Sequence, residues 1–518
     1  MLPLVLAVLC MFQALPQSPA DNPPPPVEVN SIEADEHRIG DSWHYIRVNS
    51  KAAQIYAGVS VETVVDTTGS VVSATGWLHP VIKVPPGIIA QAEALVRGLH
   101  YKPFERHGHP VTARLYEFVQ LLPPELKPLR HVPFPHVKDW KSVKITLKRT
   151  ECYGECPAYS IEVHGDGSVL YEGESNVAFT GKHRGLISRD NVIELVRQFE
   201  QADFYSLRAE YKGGVTDNST KVTSIAIDGR RKQLTDYVGL ETGMPLAVSE
   251  LEDTIDRLAN SARWTQGNAE TLAALEGEHW DFKSAEAADT LARVARYGKA
   301  EVVRDLVSAG VPINGQSDSD NATLVQAATQ GDAIMLRTLL EAGAGTNASN
   351  LANAVVAAAG SGKIDALRVL LNAGGNIKSR DDLNRTALMA AATSGSPAMV
   401  EEVLKSHPDV NAITSCDSGC DGSTALLQLT INNFYNVTRE DVMDVVHLLL
   451  QAGADVNARD EHGNTALIVA VMFNADLVSA LLEAGADVNA HNDEGKTAFD
   501  NTDDEDTKKM LRKAVISN

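Results

Sequence analysis

The sequence predicts a multidomain chain: two small α+β domains, each an antiparallel sheet plus helix, followed by an all-α solenoid of stacked helical repeats. Three observations carry this reading. Residues 280–518 repeat one helical pattern with a period near 33 residues, and stacking of such units is how a repeat buries an apolar face it cannot cover alone. Residues 41–125 and 138–265 instead alternate apolar and polar positions between turns rich in Gly and Pro, the signature of half-buried strands. The length, 518 residues, corresponds to about three to four domains.

Composition narrows the partners. The chain is 44% hydrophobic and 22% charged, ordinary for a globular protein. Lys+Arg is 46 against Asp+Glu 68, a formal charge of −22. Nucleic-acid affinity comes mainly from basic side chains displacing counterions, so DNA and RNA fall to the bottom of the partner list. Past the amino terminus no stretch approaches the ~18 apolar residues of a membrane span.

Residues 1–12 are almost wholly apolar, with Leu2, Leu4, Val5, Leu6, Val8 and Leu9, and residues 13–20 turn polar and small. This reads as a secretory signal over 1–20 ending at Ser18-Pro19-Ala20, although no Lys or Arg precedes the apolar run. An uncleaved anchor is the alternative. Leu9 stands before Cys10 where a lipoprotein needs a small residue, so lipidation is not expected. The expectation is export, to the periplasm or cell envelope, with secretion as the second choice.

Residues 21–40, with four consecutive prolines from Pro23 to Pro26, read as an extended linker. Residues 59–66 and 70–77 alternate around Thr67-Thr68-Gly69 and predict a hairpin. Pro85-Pro86 precedes a helix over 88–100, and strands 101–106 and 111–121 follow around His107-Gly108-His109-Pro110. The ββαββ order, with Val65-Asp66, Gly69-Ser70-Val71-Val72, Leu99-His100-Tyr101-Lys102-Pro103 and Gly108-His109-Pro110-Val111, resembles the C-terminal domain of the energy transducer TonB. That resemblance spans about 80 residues of 41–125 and implies an envelope protein with an exposed edge strand. The module sits near the amino terminus without a long Pro/Lys-rich spacer, which argues against energy transduction. His107 and His109 lack a third ligand nearby, so no metal is expected.

The second unit, 138–265, reads as strands over 143–148, 160–164 and 168–172, a helix over 189–202, strands over 223–228 and 232–237, and a helix over 245–260. Four cysteines remain after Cys10, in two CxxxC pairs: Cys152/Cys156 and Cys416/Cys420. They allow three pairings, and the local one needs the least rearrangement; two disulfides are expected in an exported chain. A redox pair is the alternative for Cys152/Cys156, but Glu151 and Glu155 raise a thiol pKa and no helix start follows. The stretch from Cys152 to Tyr159, followed by Asp166-Gly167-Ser168-Val169, resembles a small exported bacterial domain of unassigned function, which implies company with repeats and no activity. Asp166, Asp217 and Asp236 could form an acidic site, yet each also fits a turn. There is no GxSxG, HExxH or GxxxxGK[ST], so no catalytic residue, metal or cofactor is assigned.

In the last unit a small-Gly-small, apolar, Asn ending recurs: Ala309-Gly310-Val311-Pro312-Ile313-Asn314, Ala342-Gly343-Ala344-Gly345-Thr346-Asn347, Ala452-Gly453-Ala454-Asp455-Val456-Asn457 and Ala484-Gly485-Ala486-Asp487-Val488-Asn489. With Lys378 and Asn411 marking degenerate copies, the steps are 33, 31, 33, 46 and 32 residues. Leu-Leu pairs precede the endings, as at Leu339-Leu340 and Leu481-Leu482, and Thr-Ala-Leu helix starts follow at Thr386, Thr424 and Thr465. This resembles the ankyrin repeat over 285–514, about six repeats and a C-terminal cap. The family's inter-repeat His is replaced by Met389, Leu427, Ile468 and Asp500, which implies a softer stack. The 46-residue step carries Cys416, Cys420, Phe434 and Tyr435 in an insertion, either a partner contact or a tolerated surface loop.

Residues 280–518 hold 19 basic and 33 acidic residues, so a basic or neutral protein partner is expected. The ankyrin resemblance implies docking on the concave face and finger turns through Asp382, Asn384, Arg385, Asp460, His462, Asn464, Asn492 and Asp493, with Phe434 and Tyr435 added by the insertion. The reading is a non-enzymatic exported bacterial scaffold. The alternatives make 138–265 an enzyme or thiol-redox unit whose repeats recruit substrate, or make the chain a secreted effector.

Overall fold

The computed structural model describes residues 26–29, 34, 37–39, 44–48, 58–78, 85–106, 109–313, 323–345, 348–414, 422–431, 439–472 and 475–517. Residues 1–20, read above as a secretory signal, and His107, Cys416, Cys420, Phe434 and Tyr435 lie outside them.

The first unit is a five-stranded sheet with a helix packed on it. Its strands are β1 (Val27–Glu28), β3 (His44–Arg47), β4 (Gly58–Val65), β5 (Val71–Trp77) and β9 (Ala113–Leu122), in the order β1-β9-β4-β5 with β3 also on β9. Asp66 sets the β4–β5 turn by accepting from the Thr68 and Ser70 amides at 2.8 and 3.1 Å. Gly69 sits there at φ 89°, where a side chain would strike the Tyr101 carbonyl. Helix α1 (Ile88–Arg97) lays Ile88, Ala92 and Val96 on Val59, Val61, Ala74 and Val119. Short ribbons join β2 (Arg38–Ile39) to β6 (His100–Tyr101) and β7 (Phe104–Arg106) to β8 (His109–Val111).

Two expectations need correction here. Pairing is not purely antiparallel, because β1 and β3 run parallel to β9. Residues 21–40 are more than linker, since β1 and β2 fall within them and pair with β9 and β6.

The second unit is a seven-stranded sheet in the order β13-β12-β11-β10-β15-β16-β14. Its strands are β10 (Lys144–Arg149), β11 (Ala158–His164), β12 (Ser168–Ser175), β13 (Gly181–Leu186), β14 (Glu210–Lys212), β15 (Lys221–Ile227) and β16 (Arg230–Tyr237). Only β14 on β16 is parallel among these pairs. Ile145, Leu147, Ile161, Val163, Ile225 and Leu234 share one face by register. That face is covered by α2 (Arg189–Gln201) and α3 (Leu246–Ala259), through Val192, Leu195 and Phe199 and through Val248, Leu251 and Ile255. Ser188 caps α2 by accepting from the Asn191 amide, satisfying a donor the helix itself cannot.

Two short helices, α4 (Ala262–Thr265) and α5 (Thr271–Gly277), lead into paired helices. The pairs are α6 (Ala285–Tyr297) with α7 (Ala300–Ser308), α8 (Thr323–Gln330) with α9 (Ala333–Glu341), α10 (Ala348–Gly360) with α11 (Ile364–Asn372), α12 (Ala387–Ser394) with α13 (Pro397–Leu404), α14 (Ala425–Ile431) with α15 (Arg439–Gln451), and α16 (Ala466–Ala470) with α17 (Ala475–Glu483); α18 (Glu505–Ser517) closes the end. Small buried residues such as Ala358, Ala359, Ala391 and Ala392 let the first helices of successive pairs approach.

The sheet unit and the helical stack are not separate bodies. Phe179, Trp264, Leu275, Leu291, Val294 and Val303 belong to one continuous apolar core with the repeats. The first sheet joins by polar contacts, with Arg47 donating to the Met244 carbonyl at 3.4 Å and Gln120 to Glu241 at 2.5 Å.

Candidate functional site

The repeat endings form a ladder. Asn411 accepts from the Asp455 amide at 2.7 Å and donates to the Gly453 carbonyl at 3.0 Å. Asn457 accepts in the same way from the Asp487 amide at 2.7 Å. The marker Asn of these two endings therefore ties one repeat to the next. Thr386, Thr424 and Thr465 accept from the amides of Met389, Leu427 and Ile468, and those three apolar side chains are each about 1% exposed.

Between the endings, finger turns are held from inside. Asp460 accepts from the His462 and Asn464 amides at 2.9 and 2.7 Å. Asn492 is buried; it donates to Asn464 at 3.0 Å and accepts from the Glu494 and Lys496 amides. Asp382 accepts from Asn353 at 2.8 Å and from Ser349 at 3.0 Å. Asn384 takes φ 57°, a left-handed turn position that Asn tolerates. Leu383, Arg385, His462 and Asp493 remain exposed along the tips.

A second polar assembly lies in the middle sheet. Register places Arg149 opposite Tyr159 and Lys221, and Lys221 opposite Asp236, in one row under α3. From α3, Asp256 accepts from Arg149 at 2.6 Å and from the Tyr159 hydroxyl at 2.7 Å. Glu252 is fully buried, accepts from Thr223 at 3.0 Å and faces the Lys221 ammonium at 3.2 Å. Burial pushes the Glu252 carboxyl up to about 7, against the pull of Lys221 and with added repulsion from Asp236. Burial likewise raises the Tyr159 hydroxyl well above its ordinary range.

Asp166, Asp217 and Asp236 do not converge. Asp166 holds the turn after His164, accepting from the Ser168 amide, and His164 pairs with Lys144 at the end of β10 away from Arg149 and the Asp236 row. Asp217 sits at φ 70° in the loop before β15. Among the described residues no group of three or more His, Cys, Asp or Glu could hold a metal.

The third feature is the seam between sheet and stack. A groove of about 1320 Å³ runs along β13 and α5, lined by Lys182, Arg184, Arg263, Glu270, Glu278 and Trp280 among others. His183 stacks on Trp264 with ring centroids 4.3 Å apart and meets Glu278 at 2.9 Å. Cys152 and Cys156 are joined in a disulfide, with Cα atoms 5.5 Å apart. Glu155 inside that loop pairs with Arg296 on α6.

Residues 324–414, 354–440 and 434–500 match the ankyrin-repeat family in three overlapping stretches. Residues 324–500 are ankyrin repeats. Residues 143–259 match a family described as a domain of unknown function, DUF6438. No curated protein matches the chain.

Ankyrin repeats are non-enzymatic protein-binding modules, so this part of the chain implies a protein partner and a scaffold role. The finger residues differ in how far their polar atoms are committed to the turns. Asp460, Asn464 and Asn492 spend their polar atoms on the turns and on neighbouring fingers, and Asp382 does so while exposed; Arg385, paired with Asp381, Asp493, paired with Arg459, and His462 are exposed along the tips. Sequence reasoning did not single out Leu383, 52% exposed at a finger tip; its apolar character amid polar turn residues was the available signal. Glu252 was also missed, because a Glu on an amphipathic helix carries no local mark of burial.

Proposed function

We propose that the chain is an exported scaffold whose ankyrin concave face and finger loops bind a basic or neutral protein, with the amino-terminal sheet orienting the stack in the cell envelope. The observation that carries this is the row of finger tips braced by inter-repeat hydrogen bonds, leaving Leu383, Arg385, His462 and Asp493 exposed. A braced turn loses little entropy on binding, which favours affinity. The apolar run of residues 1–12 and the paired cysteines support export, and the charge of residues 280–518, 19 basic against 33 acidic, supports the choice of partner.

The test is crosslinking capture from the native envelope with the full chain and a variant carrying Leu383→Ser, Arg385→Ala, His462→Ala and Asp493→Ala. Deleting the repeats is a poor control, since it would open the shared core. A protein captured by the wild type and lost by the folded finger variant supports the scaffold. Equal capture by both moves binding away from the fingers and sinks this reading.

A further inference from the structure

We propose that the Cys152–Cys156 loop is a redox-dependent strut that fixes the first helix pair of the stack against the middle sheet. The inference does not depend on which partner the fingers hold. It starts from where the loop's polar groups go. Glu155 reaches across to Arg296 near the carboxyl end of α6. The same guanidinium donates to Gln326 on α8 at 2.9 Å, so one side chain joins the loop to two successive helix pairs.

A second connection runs in parallel. Asn176, in the turn between β12 and β13, donates to the carbonyls of Cys156 at 3.2 Å and Gly154 at 3.5 Å. Its side-chain oxygen accepts from the Tyr297 hydroxyl at 3.3 Å, and two residues on, Ala178 accepts at its carbonyl from Arg293 at 3.2 Å. Asn176 itself stands at φ 53°. The turn is thus held between the cysteine loop on one side and α6 on the other.

The loop makes few other anchoring contacts. Tyr153 donates its amide to the Asp217 carbonyl at 3.0 Å, while its side chain is 90% exposed. Without the covalent closure, five residues that include Gly154 regain backbone freedom. The ordering of Glu155 and of the carbonyls that Asn176 reads must then come from the weak contacts alone. Reduction by a dithiol delivers two electrons and two protons to the bridge, giving two thiols and leaving the dithiol as its disulfide. The expected consequence is local: α6 loses its outer tether at Arg296 and Tyr297 while the buried core beneath stays closed.

The experiment uses the full chain with Cys10→Ser, Cys416→Ser and Cys420→Ser, so that only this bridge responds. Hydrogen exchange is followed before and after dithiothreitol, with thiol titration confirming reduction. Exchange of amides in 293–297 and in the 176–180 turn should rise by roughly fivefold, the scale of losing an exposed ion pair and its accompanying hydrogen bonds. Repeats from α12 onward should be unchanged, and reoxidation should restore protection. Glu155→Gln in the oxidised chain should reproduce part of the effect without touching either cysteine. The strut is refuted if the thiols are free and exchange rises only within 150–157. It is equally refuted if exchange rises across the whole middle sheet, which would make the bridge a general stabiliser.

Discussion

Asn457 accepts a hydrogen bond from the Asp487 amide at 2.7 Å and donates to the Gly485 carbonyl at 3.4 Å, so a residue that closes one repeat satisfies the backbone of the next. Asn411 does the same for Asp455 and Gly453. With Met389, Leu427 and Ile468 buried at the helix starts, Asn411 and Asn457 supply polar ties between repeats at the endings. Asn457→Ala should therefore cost about 1 kcal/mol. Because solenoid stability is a sum of nearest-neighbour terms, the loss should be confined to α16, α17 and α18. Hydrogen exchange along the stack would show it, and a uniform loss over all repeats would count against the ladder.

The shared core makes a sharper demand. Phe179 is 1% exposed, meets Trp264 edge-on with ring centroids 5.8 Å apart, and belongs to the core that continues into α6. Phe179→Ala should cost about 3–5 kcal/mol, the usual range for emptying such a site. Urea unfolding followed by tryptophan fluorescence and by helical circular dichroism should stay coincident and move together to lower urea. A fluorescence transition that shifts alone would mean that the sheet and the first repeats unfold independently.

Much of this architecture was legible because two periodicities were strong. The Asn-terminated endings located the repeats, and alternation located β4, β5, β10, β11, β15 and β16 to within two residues and β12 to within three. What escaped had no such signal. β1, β2 and β3 are two to four residues long and stand in or beside a Pro-rich stretch; long-range pairing with β9 and β6 creates them. β13 reads Gly-Lys-His-Arg-Gly-Leu and becomes a strand because His183 is buried between Tyr171, Phe179 and Trp264. For the finger residues the pattern gave positions, but which of them brace a turn depends on neighbours 28 or 29 residues away, as with Asn464–Asn492 and Asn353–Asp382.

The amino-terminal sheet can be tested by itself at Gly69. Its φ of 89° suits glycine alone, and a Cβ there would stand 1.9 Å from the Tyr101 carbonyl oxygen. Gly69→Ala should cost at least about 1–3 kcal/mol, the scale of a strained backbone position. The clusters around Val59 and Val65 are separate from the large core. Proteolysis should therefore cut the variant within residues 58–122 first, leaving the middle sheet and repeats intact. Simultaneous loss of all three parts would contradict that independence.

Glu252 supplies a pH dependence whose direction follows from its burial. Its carboxyl is raised from 4.5 to about 7 by desolvation, with Lys221 opposing and Asp236 reinforcing the shift. The folded chain thus keeps a proton that the unfolded chain releases near pH 4.5. The stability contributed by protonated Glu252 is complete below that pH and is lost as pH rises through about 7. The full swing is on the order of 3 kcal/mol, from a shift of about 2.5 pH units at 1.36 kcal/mol each. Glu252→Gln keeps the Thr223 hydrogen bond but cannot ionise, so its urea midpoint should fall less than that of the wild type between pH 4.5 and 8. Above pH 7 the Gln variant should be as stable as the wild type or more so, because a buried carboxylate held by one ammonium at 3.2 Å recovers only part of its lost hydration. Parallel pH profiles for the two proteins would mean that Lys221 keeps Glu252 ionised throughout, and that the row under α3 is a permanent ion pair.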